Sequence, residues 1–473
     1  MPTFQPLTPA LIEQLRAIVG REYVSTDTSA LELHGRDETE DLFFPPDVVV
    51  RPSNAEEVSA LLQLATRERL PVTPRGGGTG LSGGALPICG GIVLSMERFN
   101  RILEIDEENL QAVVEPGVIT ETFQKSVEEK GLYYPPDPAS RGSSQLGGNL
   151  AERAGGPHAV KYGVTGDYVL GLEAVLPSGA LLRTGARVLK NATGYNLTQL
   201  LIGSEGTLAV ITRIILRLIP LPRERKVLLA AFPSLEQAAA AVASLFQSGV
   251  TPATCEFLER AAVEVAEERL GRKFPNGSAA AQLIVEVDGN YEPALAEEIQ
   301  VIAGTLERHG ASDLLLAEEP RKIREVWDLR RGIGEAVKAI SAYKEEDTVV
   351  PRSKLPMLVN GVKEICTRYG IRSICYGHAG DGNVHVNLLK GDMDDSAWAR
   401  SSGEAVREIF QLAVSLGGTI SGEHGIGFTQ KEYLPIALDA QALRVMREIK
   451  KVFDPAGILN PGKVLAEEKD AGV

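Results

Sequence analysis

The sequence predicts an α+β protein of at least two domains. Three observations carry that expectation. The chain has 473 residues, 44% hydrophobic and 24% charged, which is long enough for more than one core. The stretch DVVVRPSNAEEVSALLQLATRERLPVTPRGGG reads strand–helix–strand and runs into a cluster of glycines. The run Pro220, Leu221, Pro222 then interrupts the pattern, and a different alternation of elements follows it.

Taken in order, a first helix starts at Thr8, with Pro9 in its first turn and Gly20 as its stop. Val48–Val50 form a strand. Ser53 or Asn54 caps a helix with Val58, Leu61, Leu62 and Ala65 on one face, and Pro71–Pro74 form a second strand, parallel to the first. From Ile92 to Ile219 the signals are short strands (GIVLSM, QAVVEPG, YVLGLEAVLPSG, LAVITRIILRLIP) with a helix over Ile119–Lys130 among them. Beyond Pro222, VLLAAF, a helix at 234–247, ATCEFLE, LIVEVDG, a helix at 292–309 and DLLLAEE predict a sheet with helices on one face. A helix over 320–343, then VVP, another helix and a histidine-bearing stretch complete that region. The expected limits are 1–222 for the first domain (core 42–221), 223–416 for the second, and 417–473 for a segment returning to the first.

Composition excludes several classes. A net charge of −14 without a basic stripe argues against nucleic acid. Cys89, Cys255, Cys366 and Cys375 form no CxxC pair, which argues against an iron–sulfur cluster and fits a reducing compartment. The N-terminal MPTFQPLTPALIEQLRAIVG does not read as a signal peptide. No apolar run approaches the ~18 residues of a membrane span. A cytoplasmic protein is expected, with membrane association only through a partner.

Glycine is in excess, at 48 residues, and is clustered. PRGGGTGLSGGA (74–85) contains a formal GxGxxG at Gly78, Gly80 and Gly83, but no helix follows, so a dinucleotide fold of the Rossmann type is rejected. GILNPGKV (457–464) resembles GxxxxGK but lacks the Ser/Thr and the helix. What remains is a turn whose successive N–H groups make an anion-binding concavity, with Arg75 adding charge; the plain alternative is a glycine-rich loop. PPDPASRGSSQLGGNLAERAGGPHAVKYGVTGDYVLGLEAV (135–175) and IGSEGTLAVIT (202–212) share the texture. Three such stretches in one half of the chain point to an extended cofactor.

RGGGTGLSGG, PPDP…GGNLAERAGG…KYG, GSEGTLAVIT, GHAGDGNVH, SGEHGIG and FDPAGILNPGK occur in that order over residues 40–465. This series resembles the FAD-linked oxidase superfamily of the vanillyl-alcohol-oxidase (PCMH) type. It is most similar to the D-2-hydroxyacid dehydrogenase branch: D-lactate dehydrogenases, D-2-hydroxyglutarate dehydrogenases and the flavin subunit of glycolate oxidase. The resemblance implies a PCMH-type FAD-binding domain formed by both chain ends and a central ferredoxin-like α+β cap. It implies that Arg75, Gly76, Gly77, Gly78, Thr79 and Gly80, with Ser82 and Gly83, cradle the pyrophosphate. Pro138, Ser140, Ser143, Gly147, Gly148, Asn149, Ala154, Gly155, Gly156 and Gly163 would line FAD. So would Glu205, Gly206 and Val210, with Asn460 near the ring. Some relatives attach FAD through a His where this chain has Thr79, so FAD is expected to be non-covalent.

Three of the six histidines fall in GHAGDGNVH (377–385) and GEHG (422–425). IRSICYG and VHVNLL read as the two strands of a hairpin, which would set His378 and His385 side by side at its mouth. Glu423 can complete a set of two histidines and one carboxylate with open positions, suited to Zn²⁺, with Mn²⁺ or Fe²⁺ as alternatives. On the residues alone, His378 and His385 could equally be polar hairpin residues and His424 a loop residue. The family pattern assigns His378, His385 and Glu423 to the metal and His424 to the catalytic base.

Oxidising a 2-hydroxyacid needs a base for the hydroxyl proton, a role that suits His424, and a fixed cation for the carboxylate. WDLRRG (327–332) offers Arg330 and Arg331, and the family's W-x-x-R pattern selects Arg330; otherwise an exposed charged helix face is expected. Asn387, on the same face as His385, is a second carboxylate contact. The hydroxyglutarate branch has a Lys where this chain has Glu345, which favours a small monocarboxylate, D-lactate first, over D-2-hydroxyglutarate; glycolate remains an alternative. A flavin-binding scaffold subunit and a non-redox flavoenzyme of ether-lipid synthesis are readings of another class. Electrons would leave to an external acceptor: an electron-transferring flavoprotein, a cytochrome or a quinone-linked partner. A homodimer is one assembly open to the chain.

Overall fold

A computed structural model describes residues 3–467. The chain divides into two compact units. One comprises the residues up to Ala154, Val164–Leu221 and those from Glu423 onward; the other comprises Gly155–Gly163 and Pro222–Gly422. The sequence expectation puts these changes at 222/223 and 416/417 and keeps Gly155–Gly163 with the first domain. That short segment belongs with the second unit because Lys161 Nζ (2.5 Å) and Tyr162 Oη (2.8 Å) both donate to the Asp288 carboxylate.

The described residues of the first unit form three sheets. Strands β1 (Val24–Ser25), β2 (Val48–Val50), β3 (Val72–Arg75) and β4 (Ile92–Ser95) lie in the order β1-β2-β4-β3. Both β2 and β3 run parallel to β4, which inserts between them after the glycine turn. The helix Ala55–Glu68 joins β2 to β3. Asn54 caps it, accepting from Glu57 N, while Glu56 and Glu57 face the positive end of its dipole. Its Val58, Leu61, Leu62 and Ala65 are buried with Leu11, Leu15 and Val19 of helix Pro9–Val19. Strands β5 (Ile102–Asp106), β6 (Gln111–Val114), β8 (Val169–Val175), β9 (Leu181–Gly185) and β10 (Val210–Arg217) form an antiparallel sheet, β5-β6-β10-β8-β9. The short β7 (Leu132–Tyr133) pairs with β11 (Ile219–Pro220).

The second unit is one seven-stranded antiparallel sheet. Its strands are β12 (Glu224–Phe232), β13 (Thr254–Glu259), β14 (Ala281–Gly289), β15 (Asp313–Ala317), β16 (Tyr343–Val349), β17 (Arg372–Gly377) and β18 (Asn383–Leu389). The order is β15-β12-β14-β13-β17-β18-β16. The first four strands, with helices Leu235–Gln247 and Glu292–Arg308, make the split β-α-β pattern of a ferredoxin-like fold. Helix Arg260–Leu270 is inserted between β13 and β14, and β17, β18 and β16 widen the sheet.

Two expectations are corrected here. Helices cover both faces of this sheet, not one. Helices Arg260–Leu270 and Pro320–Lys338 share a core with Val227, Leu229, Leu258, Ile284, Ile374 and Leu389. Helices Leu235–Gln247, Glu292–Arg308 and Leu355–Arg368 also contact the sheet, yet none of their residues joins that core, so they lie on the opposite face. Accordingly β13 and β18 are buried at every residue instead of alternating. The helix read over 320–343 ends at Lys338, and YKEEDTV is strand β16.

Candidate active site

In the first unit, β3 delivers Arg75 to the glycine turn. The amide N–H groups from Gly76 to Gly80 donate to no acceptor among the described residues. A Cβ on Gly77 would lie 2.5 Å from Ser143 O, and one on Gly76 would lie 3.6 Å from Gly148 Cα. The turn therefore sits directly against residues 143–148. Gly78 has φ +71°, and an added side chain there would overlap the Arg75 guanidinium. Arg75 is 8% exposed and its Nη1 has no hydrogen-bond partner among the described residues. Burial pulls its pKa down, with the Asp37 charge opposing. A row of unused amide donors beside a buried guanidinium fits a phosphate group.

Distant segments close around this turn. Glu205 accepts from Ile426 N (2.8 Å) and Gly427 N (2.7 Å). Asn460 Nδ2 donates to Gly84 O (3.0 Å) and Glu205 O (2.8 Å). Both residues hold left-handed backbone, φ +51° and +41°. Lys463 Nζ donates to Gly84 O at 3.3 Å and also to Leu86 O. Burial lowers its pKa to about 8 against the nearby charges of Asp37 and Glu205. Burial, followed by the charge of Glu205, pushes the carboxyl of Glu152 well up.

In the second unit, the candidate side chains share the sheet face covered by helix Pro320–Lys338. Stepping by two from Leu258, Ile284, Ile374, Leu389 and Tyr343, all in the core of that face, leads to Glu256, Glu286, Tyr376, Asn387 with His385, and Glu345 with Asp347. One end of the face is thus apolar and the other polar. The turn 378–382 joins β17 to β18. Gly382 (φ +83°) is needed there because a Cβ would overlap the Val350 carbonyl. Asn383 Nδ2 ties the turn to Asp347 Oδ1 and to Thr348 O (3.2 Å).

The hairpin sets the His378 and His385 rings 5.1 Å apart and nearly perpendicular. His378 Nδ1 lies 2.7 Å from Glu256 Oε1. Arg330 places Nε at 2.8 Å and Nη2 at 2.6 Å from Glu256 Oε2. Its guanidinium carbon is 5.2 Å from the Tyr376 ring centroid. Burial alone would raise the Glu256 carboxyl, but the charges of His378 and Arg330 outweigh it and hold the pKa below the usual range. His385 Nδ1 is 3.7 Å from Glu345 Oε1 and 3.8 Å from Asp347 Oδ1. Asn387 is 1% exposed, and neither its Oδ1 nor its Nδ2 has a partner at hydrogen-bond geometry among the described residues, although Tyr376 lies beside it. Glu345 stands opposite Asn387 in the β16–β18 register.

The model of the C-terminal domain of FAD linked oxidases matches residues 221–464, and that of an FAD binding domain matches residues 46–185. The chain belongs to the FAD-linked oxidase family. Its relatives include the glycolate oxidase subunit GlcD of Bacillus subtilis (strain 168), 39% identical and covering 98% of each chain. The D-lactate dehydrogenase of Anaerostipes hadrus is 36% identical, again over 98% of each. Among solved structures, p-cresol methylhydroxylase with substrate bound superposes with a TM-score of 0.82 at 16% identity, over 99% of this chain and 100% of that one; this likeness concerns the fold. This FAD-linked oxidase is an FAD-dependent oxidoreductase of the D-2-hydroxyacid dehydrogenase and glycolate oxidase branch. No helix among its described residues is long and apolar enough to cross a membrane.

The FAD-linked oxidase brings Arg75–Gly80, Ser143, Gly148, Glu205 and Asn460 into one region of its first unit. Other residues assigned to FAD have structural partners. Asn149 Nδ2 donates to Thr120 Oγ1 (2.7 Å), Val210 lies in the core with Val175, and Pro138 O and Ser140 O accept from Arg141 N and Ser143 N within one turn. Gly155, Gly156 and Gly163 are the end residues of the segment carried by the second unit. His378, His385, Arg330 and Asn387 stand together in the second unit. Gly422 N donates to Asp347 O (2.9 Å) and Oδ2 (2.8 Å), and Asp347 is the register partner of His385. Glu423 and His424 follow in the chain directly. Sequence reasoning missed Glu256, Tyr376 and Asp347. Glu256 shares β13 with a second acid, Glu259, and with Thr254, so its position along the strand does not mark it out.

Proposed function

We propose that this protein oxidises a small D-2-hydroxyacid, D-lactate before glycolate, to the 2-oxoacid and passes the electrons to an external acceptor. The observation that carries this reading is the buried amide of Asn387, which has Tyr376 beside it but no partner at hydrogen-bond geometry among the described residues, on the face that also holds His385 and meets Arg330 and His378. A burial of that kind costs free energy until a ligand completes it. A hydroxyacid offers the matching acceptors.

Arg330 and Asn387 bind the substrate carboxylate in this reading. His378, His385 and Glu423 hold a divalent cation, Zn²⁺ first, with Mn²⁺ or Fe²⁺ as alternatives; two imidazoles and a carboxylate suit such an ion. The cation supplies Lewis-acid stabilisation of the substrate hydroxyl as it loses its proton. FAD supplies the hydride acceptor. His424 takes the hydroxyl proton. Glu345, facing Asn387, disfavours a second carboxylate and so favours monocarboxylates over D-2-hydroxyglutarate. The names of the GlcD and D-lactate dehydrogenase relatives support the same substrate class. A cytoplasmic location and an electron-transferring flavoprotein, cytochrome or quinone-linked partner complete the proposal.

The test is anaerobic flavin bleaching with D-lactate, L-lactate, glycolate and D-2-hydroxyglutarate, before and after chelation. Bleaching by D-lactate that chelation abolishes and Zn²⁺ restores is the expected result. Bleaching indifferent to chelation removes the metal from the reading. An FAD-loaded protein that no hydroxyacid bleaches removes the activity.

A further inference from the structure

We infer that Glu256 is a positioning residue that sets both halves of the site at once, the metal-binding face of His378 and the carboxylate-binding edge of Arg330. This rests on the reading of those two residues given above. Glu256 belongs to β13, between β14 and β17 in the middle of the sheet, and is completely buried. Its two oxygens are divided. Oε1 meets His378 Nδ1 at 2.7 Å, and Oε2 meets Arg330 Nε and Nη2 at 2.8 and 2.6 Å.

The chemistry of the acceptor fixes both partners. An ionised carboxylate only accepts hydrogen bonds. The proton of a neutral His378 must therefore sit on Nδ1, and Nε2 keeps the one lone pair the ring can give a cation. Arg330 has a planar fork of five N–H groups. Glu256 takes the edge made by Nε and one N–H of Nη2, leaving Nη1 and the second N–H of Nη2 for a ligand. A single carboxylate thereby locks the tautomer of one group and the orientation of the other. A buried ion pair is a poor source of net stability compared with apolar residues of equal volume, so a purely structural role explains the arrangement less well.

The test compares the FAD-loaded, full-length protein with Glu256→Gln and Glu256→Asp. Zn²⁺ affinity is read by competition with a chromophoric chelator on metal-stripped protein, and D-lactate affinity by anaerobic flavin reduction; FAD content and melting temperature report the fold. Glu256→Gln is expected to weaken Zn²⁺ binding by about 10–100-fold and to raise the D-lactate dissociation constant more than it lowers the limiting rate. Glu256→Asp, which restores the charge, should recover part of both. Should the variants fail to fold, ¹⁵N-histidine spectra of the unaltered protein, assigned with His378→Gln, decide the matter. A proton on His378 Nδ1 supports the inference, and a proton on Nε2 overturns it. Unaltered protein that binds neither Zn²⁺ nor Mn²⁺ overturns the metal reading itself. Unaltered protein that binds Zn²⁺ no better than Glu256→Gln, with equal D-lactate affinity, overturns the role of Glu256 alone.

Discussion

Arg330→Lys should separate substrate binding from cofactor binding. Arg330 is 7% exposed and gives Glu256 Oε2 two N–H contacts. A lysine ammonium can replace one of them and has no planar second edge for a ligand. Each charge-assisted hydrogen bond in a buried setting contributes about 1.5–3 kcal/mol. Loss of one on the Glu256 side appears as lower stability. Loss of one on the substrate side, at about 1.4 kcal/mol per tenfold, raises the D-lactate dissociation constant by about 10–150-fold. FAD content should stay at the level of the unaltered protein, because the glycine turn 76–80 belongs to the other unit. The assay is anaerobic stopped-flow reduction of the flavin over a D-lactate series, which yields the dissociation constant and the limiting rate separately. A dissociation constant within about twofold of the unaltered protein would refute the assignment of Arg330 to the substrate carboxylate.

Gly77→Val forces a Cβ to within 2.5 Å of Ser143 O unless the turn moves. An overpacking cost of about 1–3 kcal/mol should weaken FAD by about tenfold or more in a fluorescence titration of stripped protein; unchanged affinity would detach this turn from the cofactor. Lys463 has its pKa lowered from 10.5 to about 8, so between these values the folded state holds fewer protons than the unfolded one, and stability rises with pH. The unfolding free energy of the unaltered protein minus that of Lys463→Met should therefore grow by about 3 kcal/mol from pH 7 to pH 10.5, and a flat difference in urea titrations would contradict the burial argument. Glu345→Lys replaces the charge opposite Asn387 and should raise bleaching by D-2-hydroxyglutarate relative to D-lactate by about tenfold; an unchanged ratio would show that Glu345 does not select the substrate.

Helix Ala55–Glu68 was legible because its cap, its acidic first turn and its apolar face are all local. The hairpin carrying His378 and His385 was legible for the same reason, since glycines mark the turn and the strands flank it closely. Strand β16 was not. Lys344, Glu345, Glu346 and Asp347 break any apolar alternation, and partners such as Asn383 and Ser421 lie on other elements. The covering of the sheet on both faces was hidden likewise. Glu256, Glu286 and Asp288 look like solvent-facing positions, but they pair with Arg330, Trp327 and Lys161. A sequence shows where an acid lies along a strand and is silent about the distant donor that satisfies it.

The segment Gly155–Gly163 bears on how freely this architecture can be cut and recombined. Its Lys161 and Tyr162 neutralise and saturate Asp288, whose side chain is buried. A fragment spanning Pro222 to Gly422 alone would carry that carboxylate without its cation, and stranding a buried charge costs about 3–5 kcal/mol. Transplanting the cap between relatives, or expressing it in isolation, therefore requires these residues from far upstream to travel with it. The modular unit in this protein is discontinuous, and its exchangeable boundary follows an ion pair instead of the order of the chain.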